Sequence, residues 1–276
     1  MEHSRAGLDA ACASRALYLE VDTRVSRDGR IYVSHDDSTA RFSDECIPFT
    51  RSDSGVLDRI RTRSGAGLLT LRETLEVFRA RTHPDQRLAI DVKDYGFEEA
   101  HFELVRELGL EDRTTFVSWI PQTLTRLRAL GARTPLVLSY WSLLRLGAGG
   151  ALATRFLRQR LFRVAQFVAM GRERVGSDLG DLARGFQHGL FCQELPDPLA
   201  ETLSSSGGGI CVHRSMVCDR LGAWCRSAGL QLWVFSVQTP EDFRRYAALE
   251  HVDVVFSDDA SNALGRAWVE PDTTAR

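Results

Sequence analysis

Lysine is nearly missing from this chain. Of its 35 basic residues, one, Lys93, is a lysine and the others are arginines. A GC-rich coding bias explains the arginines but not the exception. A compact ammonium and a planar guanidinium fork do different work, and a tight phosphate or carboxylate site can require the former. Other absences narrow the class. The net charge of −2 over 276 residues gives no electrostatic reason to expect a nucleic-acid partner. No apolar run approaches the length of a membrane span, so no transmembrane segment is expected. Met1 is followed by Glu2, His3 and Ser4 and not by an apolar signal core, which fits a cytoplasmic protein. The six cysteines (Cys12, Cys46, Cys192, Cys211, Cys218 and Cys225) form no Cys-x-x-Cys pair, so they read as small core residues in a reducing compartment. No GxGxxG follows the first strand-like run, which argues against dinucleotide binding.

What is present is a strict alternation. Strand-like runs at 16–22, 88–93, 114–119, 135–140, 209–213, 230–237 and 252–257 are separated by amphipathic stretches. Among these are LRETLEVFRARTH, PQTLTRLRALG, DRLGAWCRSAG and PEDFRRYAALE, with Pro240 opening one and Gly131 and Gly229 closing two others. Strands alternating with helices over this length predict an α/β chain with a parallel sheet, doubly wound or closed as a (β/α)8 TIM-type barrel. The whole of 1–276 reads as one domain. Its longest connection, 141–208, carries Arg155, Arg158, Arg160, Arg163, Arg172 and Arg174 as a solvated face. Ser204–Gly209, SSSGGG, reads as a flexible loop tip.

The chemistry concentrates at strand ends. In YLEVDTRVSRDGRIYVSHDD, Glu20 and Asp22 share one face of a strand while Leu19 and Val21 share the other. Two carboxylates about 7 Å apart on one face repel unless a cation lies between them. Asp28-Gly29 turns the chain, and Ile31–Val33 returns His35 toward the carboxylates. Asp91 and Lys93 sit inside LAIDVK, where buried charge is costly unless paired. Ser118, Ser139, His213, Ser236, Ser257 and Asp258 end other strands, the end at which parallel α/β folds build their sites.

Those residues resemble a known family. LEVDTRVSRDGRIYVSHDD, then LLTLRETLEVF, IDVKD, VFSVQ and HVDVVFSDD follow in the order of the glycerophosphodiester phosphodiesterase motifs, with MEHSRAGL as a worn copy of an earlier one. The resemblance implies a TIM-type barrel that hydrolyses small-molecule glycerophosphodiesters to sn-glycerol 3-phosphate and an alcohol. It implies Glu20, Asp22 and Asp91 as ligands of Mg²⁺ or Ca²⁺, a hard all-oxygen set suited to those ions. It makes His35 an acid/base group and Lys93 the neutraliser of phosphate charge, with Trp119 and Phe235 walling the substrate pocket. One departure matters. The family's first strand carries a His-Arg pair, and this chain begins after that point. His3, 17 residues before Glu20, is too close to take the place of that histidine and is given no catalytic role. The expectation is therefore a barrel truncated before its first strand, with open ladder groups at 16–22 and 252–257, that binds metal, shows little or no phosphodiesterase activity and is poorly soluble. Its rivals are a non-catalytic barrel that retains metal and phosphodiester binding, and a phospholipase-type phosphodiesterase.

Overall fold

The computed structural model describes residues 4–14, 16–139, 195 and 197–257. Eight strands form one sheet: β1 (Tyr18–Val25), β2 (Ile31–Val33), β3 (Arg87–Val92), β4 (Thr114–Ser118), β5 (Leu136–Ser139), β6 (Gly209–His213), β7 (Gln231–Phe235) and β8 (Val254–Val255). Their order is β2-β1-β3-β4-β5-β6-β7-β8. From β1 through β3 to β8 every neighbouring pair is parallel, and β2 alone runs antiparallel to β1. The sheet curls on itself, because the Tyr18 ring of β1 meets Trp233 of β7 edge-on at 4.9 Å, and Trp233 meets Phe256 at 5.5 Å. This is an α/β barrel of TIM type. Among the described residues no ladder joins β8 to β1.

Strand alternation sorts the core into two layers. Leu88, Ile90 and Val92 of β3 face outward and join the large apolar layer beneath the helices. Ala89, Val117, Val137, Cys211 and Trp233 face inward and fill the barrel. The helices are α1 (Arg5–Ala13), α2 (Ser54–Leu57), α3 (Leu71–Arg81), α4 (Glu98–Glu107), α5 (Pro121–Ala129), α6 (Asp197–Ser205), α7 (Asp219–Ser227) and α8 (Pro240–Ala247). A capping box starts α3: Thr70 Oγ1 accepts from the Glu73 N–H while the Glu73 carboxylate accepts from the Thr70 N–H. The family-like TLRETL motif is thus a helix start that fixes how the chain leaves the site. No described helix is long and apolar enough to cross a membrane.

Several expectations change. β1 runs on to Val25, three residues past the expected end, because β2 pairs with Thr23–Val25. β8 has only two laddered residues within the expected 252–257. The helix α4 joins those anticipated. Cys12, Cys211 and Cys225 are buried, Cys46 is exposed, and the described cysteines are free thiols; Cys192 lies outside the described residues. Most of 141–208, including its six named arginines, lies outside them too, as does Asp258.

Ser204–Gly209 is not a flexible loop tip. It contains the end of α6, a turn with Gly207 at φ 72° and the first residue of β6. A Cβ on Gly208 would lie 1.9 Å from the Leu136 carbonyl oxygen, and one on Gly209 would lie 2.0 Å from that of Gln231. The glycines let β6 slot between β5 and β7 at backbone contact. Gly208→Ala is accordingly expected to cost about 3 kcal/mol, since the clash is with backbone that cannot yield. Gly55→Ala, in α2 with nothing within 4 Å of the new methyl, should be neutral or slightly stabilising. Denaturant unfolding of the two variants checks this; equal midpoints would show that the β5–β6 approach is looser than described.

Candidate active site

Parallel pairing of β1 with β3 sets Asp22 beside Asp91. Glu20 is one pleat period earlier on the same face, and one oxygen from each of the three carboxylates lies within 4.8 Å of the others. Lys93 follows Asp91 at the mouth of the barrel. Its Nζ donates to Asp91 Oδ2 at 2.6 Å and lies 2.8 Å from Asp22 Oδ1. The cation that separates the carboxylates is thus, in the first instance, the chain's own single lysine. Burial works to discharge that ammonium, but Asp91 and Asp22 outweigh it and hold its pKa above the ordinary lysine range.

Three carboxylates stand around one ammonium, an excess of oxygen donors of the kind that suits a divalent cation. Asp91 shows where that excess sits. It is 8% exposed, and its Oδ1 is buried with no hydrogen-bond partner. Burial is the strongest influence on this carboxyl and raises its pKa; Lys93 opposes the rise and Asp22 adds to it. Glu98, fully buried nearby in sequence, makes the contrast. Its oxygens accept from the Gly96 N–H at 3.0 and 3.2 Å and from Thr123 Oγ1 at 3.1 Å, with Arg126 Nε at 3.4 Å. Glu98 is thus satisfied on both oxygens, where Asp91 is not. The all-oxygen donors and the orphaned Oδ1 suit Mg²⁺ or Ca²⁺ and not a soft metal.

The hairpin delivers His35. Gly29, at φ 92°, turns the chain between β1 and β2, and the Ser34 N–H bonds the Asp22 carbonyl at 3.0 Å. His35 is the next residue. Its side chain is 58% exposed and its Nδ1 lies 2.9 Å from Asp36 Oδ1. Asp36 in turn accepts from Arg41. Burial opposes the charge on Asp36, but the hydrogen bonds from His35 and Arg41 prevail and hold its carboxyl below the usual range. The carboxylate therefore orients the ring through Nδ1, the arrangement used for histidines that exchange protons through Nε2.

Phe235 ends β7 among the inward-facing residues and meets the His213 ring edge-on at 5.5 Å. His213 ends β6 two residues above Cys211, so it faces the same way. Cys211 lies directly beneath the carboxylates: burial raises its thiol pKa first, then the charges of Asp91 and Glu20. His213 Nδ1 contacts Ser215 Oγ at 2.8 Å; partial burial, then Arg214, lowers its pKa. Ser236, next to Phe235, takes a left-handed conformation at φ 66°, a strained state that redirects the chain at the site. Trp119 stands at the end of β4, packed with Ile120 and Tyr95.

The structure therefore brings Asp22, Asp91 and Lys93 into direct contact, sets Glu20 within 4.8 Å of the two aspartates, and carries His35, Phe235 and Trp119 to the same end of the barrel. Sequence reasoning noted His213 as a strand-end residue without assigning it a role. It missed Arg24 and Asp94, which sit immediately behind the site and are joined at 3.1 Å. Strand parity contained the signal, since Arg24 shares the face of Glu20 and Asp22.

The fold is shared with solved structures of known proteins. A glycerophosphodiester phosphodiesterase from Agrobacterium tumefaciens is 19% identical, with a TM-score of 0.61 over 95% of this chain and 92% of that one. One from Thermotoga maritima is 17% identical, with a TM-score of 0.61 over 96% and 91%. An Oleispira antarctica phosphodiesterase, solved in complex with the product sn-glycerol-3-phosphate, is 17% identical, with a TM-score of 0.60 over 92% and 86%. No curated protein matches. A sequence model of the glycerophosphoryl diester phosphodiesterase family matches residues 1–142, just over half the chain and the part that supplies Glu20, Asp22, His35, Asp91, Lys93 and Trp119, and this chain belongs to that family.

Proposed function

We propose that this protein hydrolyses glycerophosphodiesters to sn-glycerol 3-phosphate and an alcohol, with a divalent cation held by Glu20, Asp22 and Asp91. The observation that carries the reading is the buried, unpartnered Asp91 Oδ1, set among three carboxylates whose oxygens lie within 4.8 Å of one another. Bound there, Mg²⁺ or Ca²⁺ supplies positive charge to the phosphodiester oxygens. The chain's own groups supply the rest. Lys93 is kept protonated by its two aspartates and adds charge at the phosphoryl group. His35, oriented by Asp36, exchanges a proton with the attacking water or the leaving alcohol. His213, four strands round the sheet from β1, is the imidazole placed to serve the other side of the phosphorus. Phe235 and Trp119 wall the substrate's alcohol side.

A barrel that binds metal and phosphodiester without turnover is the second reading, favoured by Lys93, which already occupies the space between Asp22 and Asp91. Incubating the 276-residue chain with glycerophosphocholine and Mg²⁺ or Ca²⁺ separates the two. Release of sn-glycerol 3-phosphate that stops on chelation supports hydrolysis, and binding without release supports the alternative.

Added Mg²⁺ or Ca²⁺ at 100 times its Kd should stabilise the wild-type chain by about 2.7 kcal/mol, since only the folded state assembles the site. Asp91→Asn should abolish that gain, and thermal melts with and without cation decide it. A melting temperature indifferent to either cation would contradict the metal assignment. Lys93→Arg keeps the charge, but its fork does not fit between oxygens 2.8 and 2.6 Å from one point. Turnover should fall by about 10²-fold; full activity would make Lys93 a bystander. For His213→Ala, the loss should reach about 10²–10⁴-fold with glycerophosphocholine and be much smaller with a p-nitrophenyl phosphodiester, whose leaving group needs no proton. Equal losses with both substrates would assign His213 to the attacking water and not to the leaving alcohol, and no loss with either would remove it from the mechanism.

A further inference from the structure

Arg24 lies on the same face of β1 as Glu20 and Asp22, yet its guanidinium turns back into the protein, where it is 5% exposed. Nη1 donates to Asp94 Oδ1 at 3.1 Å, while Nε and Nη2 both donate to the main-chain carbonyl oxygen of His35, at 3.1 and 3.0 Å. The second oxygen of Asp94 accepts from the Val25 N–H at 2.8 Å. These four bonds join three chain segments, and each segment carries site residues. β1 holds Glu20 and Asp22, the end of β3 leads through Asp91 and Lys93 into Asp94, and the segment just past β2 carries His35.

We propose that Arg24, held in place by Asp94, is a positioning residue for the proton-transfer step. It fixes the peptide plane between His35 and Asp36 and thereby aims the His35 imidazole. The inference rests on the reading of His35 given above. Its physical basis is that the His35 ring is exposed, so its direction depends on the backbone beneath it and on Asp36, the very two groups that this peptide plane connects. A guanidinium that offers two donors to one carbonyl oxygen fixes a plane, which a point charge does not. Stability is a weak reason for such an arrangement, because desolvating a buried ion pair offsets most of its attraction. Geometry is what the pair supplies in return.

Arg24→Lys tests this, since it keeps the charge beside Asp94 but cannot hold the carbonyl with two donors. In the full chain with divalent cation and glycerophosphocholine, kcat should fall about 10–10²-fold while KM changes less than about threefold. Cation-induced stabilisation should persist. Placed on a His35→Ala background, Arg24→Lys should cost less than about threefold more, because both changes remove the same contribution. Losses that multiply in the double variant, or an unchanged kcat in Arg24→Lys, overturn the proposal. Asp94→Asn, which keeps the side-chain shape, should show the same overlap with His35→Ala and serves if Arg24→Lys does not fold. A readout without turnover is the His35 C2–H proton resonance, identified by its loss in His35→Ala. It should shift or broaden in Arg24→Lys, and an unmoved resonance contradicts the brace. No hydrolysis by the wild-type chain would sink the functional reading, while this resonance would still decide whether Arg24 positions His35.

Discussion

An ammonium pressed between two aspartates at the ends of adjacent parallel strands organises this protein's working end. Lys93 meets Asp22 of β1 and Asp91 of β3 at salt-bridge distance, in a place where the barrel wall excludes most of the solvent. Without it, three carboxylates on one face would repel, and the pairing of β1 with β3 would carry that repulsion at its end. With it, the cluster is tolerable. The unsatisfied Asp91 oxygen is the feature on which the proposed cation site rests. The scarcity of lysine elsewhere in the chain has a physical counterpart here, because a guanidinium is too broad for a position defined by two close oxygens.

The rest of the mouth is arranged around that contact. β2 exists to bring the chain back beside β1, and its short length leaves His35 just past the last laddered residues. Behind it the Arg24–Asp94 pair ties the hairpin to the end of β3, so the histidine and the carboxylates are set by one connected group of backbone and side-chain bonds. His101 completes the support from the helix side. It is buried in α4, with Nδ1 donating to the Phe97 carbonyl and Nε2 against Thr23 Oγ1. Burial drives its pKa down to about 4, so it serves as a neutral hydrogen-bonding post and not as a charge.

Much of this was legible from residues alone, for identifiable reasons. Alternation of apolar and polar positions gave the strands, since each has one face in the outer core and one in the barrel. Parity placed Glu20 and Asp22 together, and the cost of burying Asp91 and Lys93 unpaired marked LAIDVK as a site strand. The partner of each charge was not legible, because register between strands far apart in sequence decides it. A metal was therefore expected between carboxylates where Lys93 also stands. Arg24 read as an ordinary member of an arginine-rich chain; parity put it on the carboxylate face, but its bonds to the His35 carbonyl depend on tertiary structure. SSSGGG misled because glycine permits mobility in solvent but close backbone approach inside a sheet, and composition does not separate the two.

All of this turns on whether a single divalent cation shares the cluster with Lys93. Crystals grown with Mn²⁺, as an anomalously scattering surrogate for Mg²⁺, test it directly. The account predicts one anomalous peak at about 2.0–2.6 Å from oxygens of Glu20, Asp22 and Asp91, with Asp91 Oδ1 among them. A map with no peak there, and Lys93 as the sole cation between the aspartates, would contradict it.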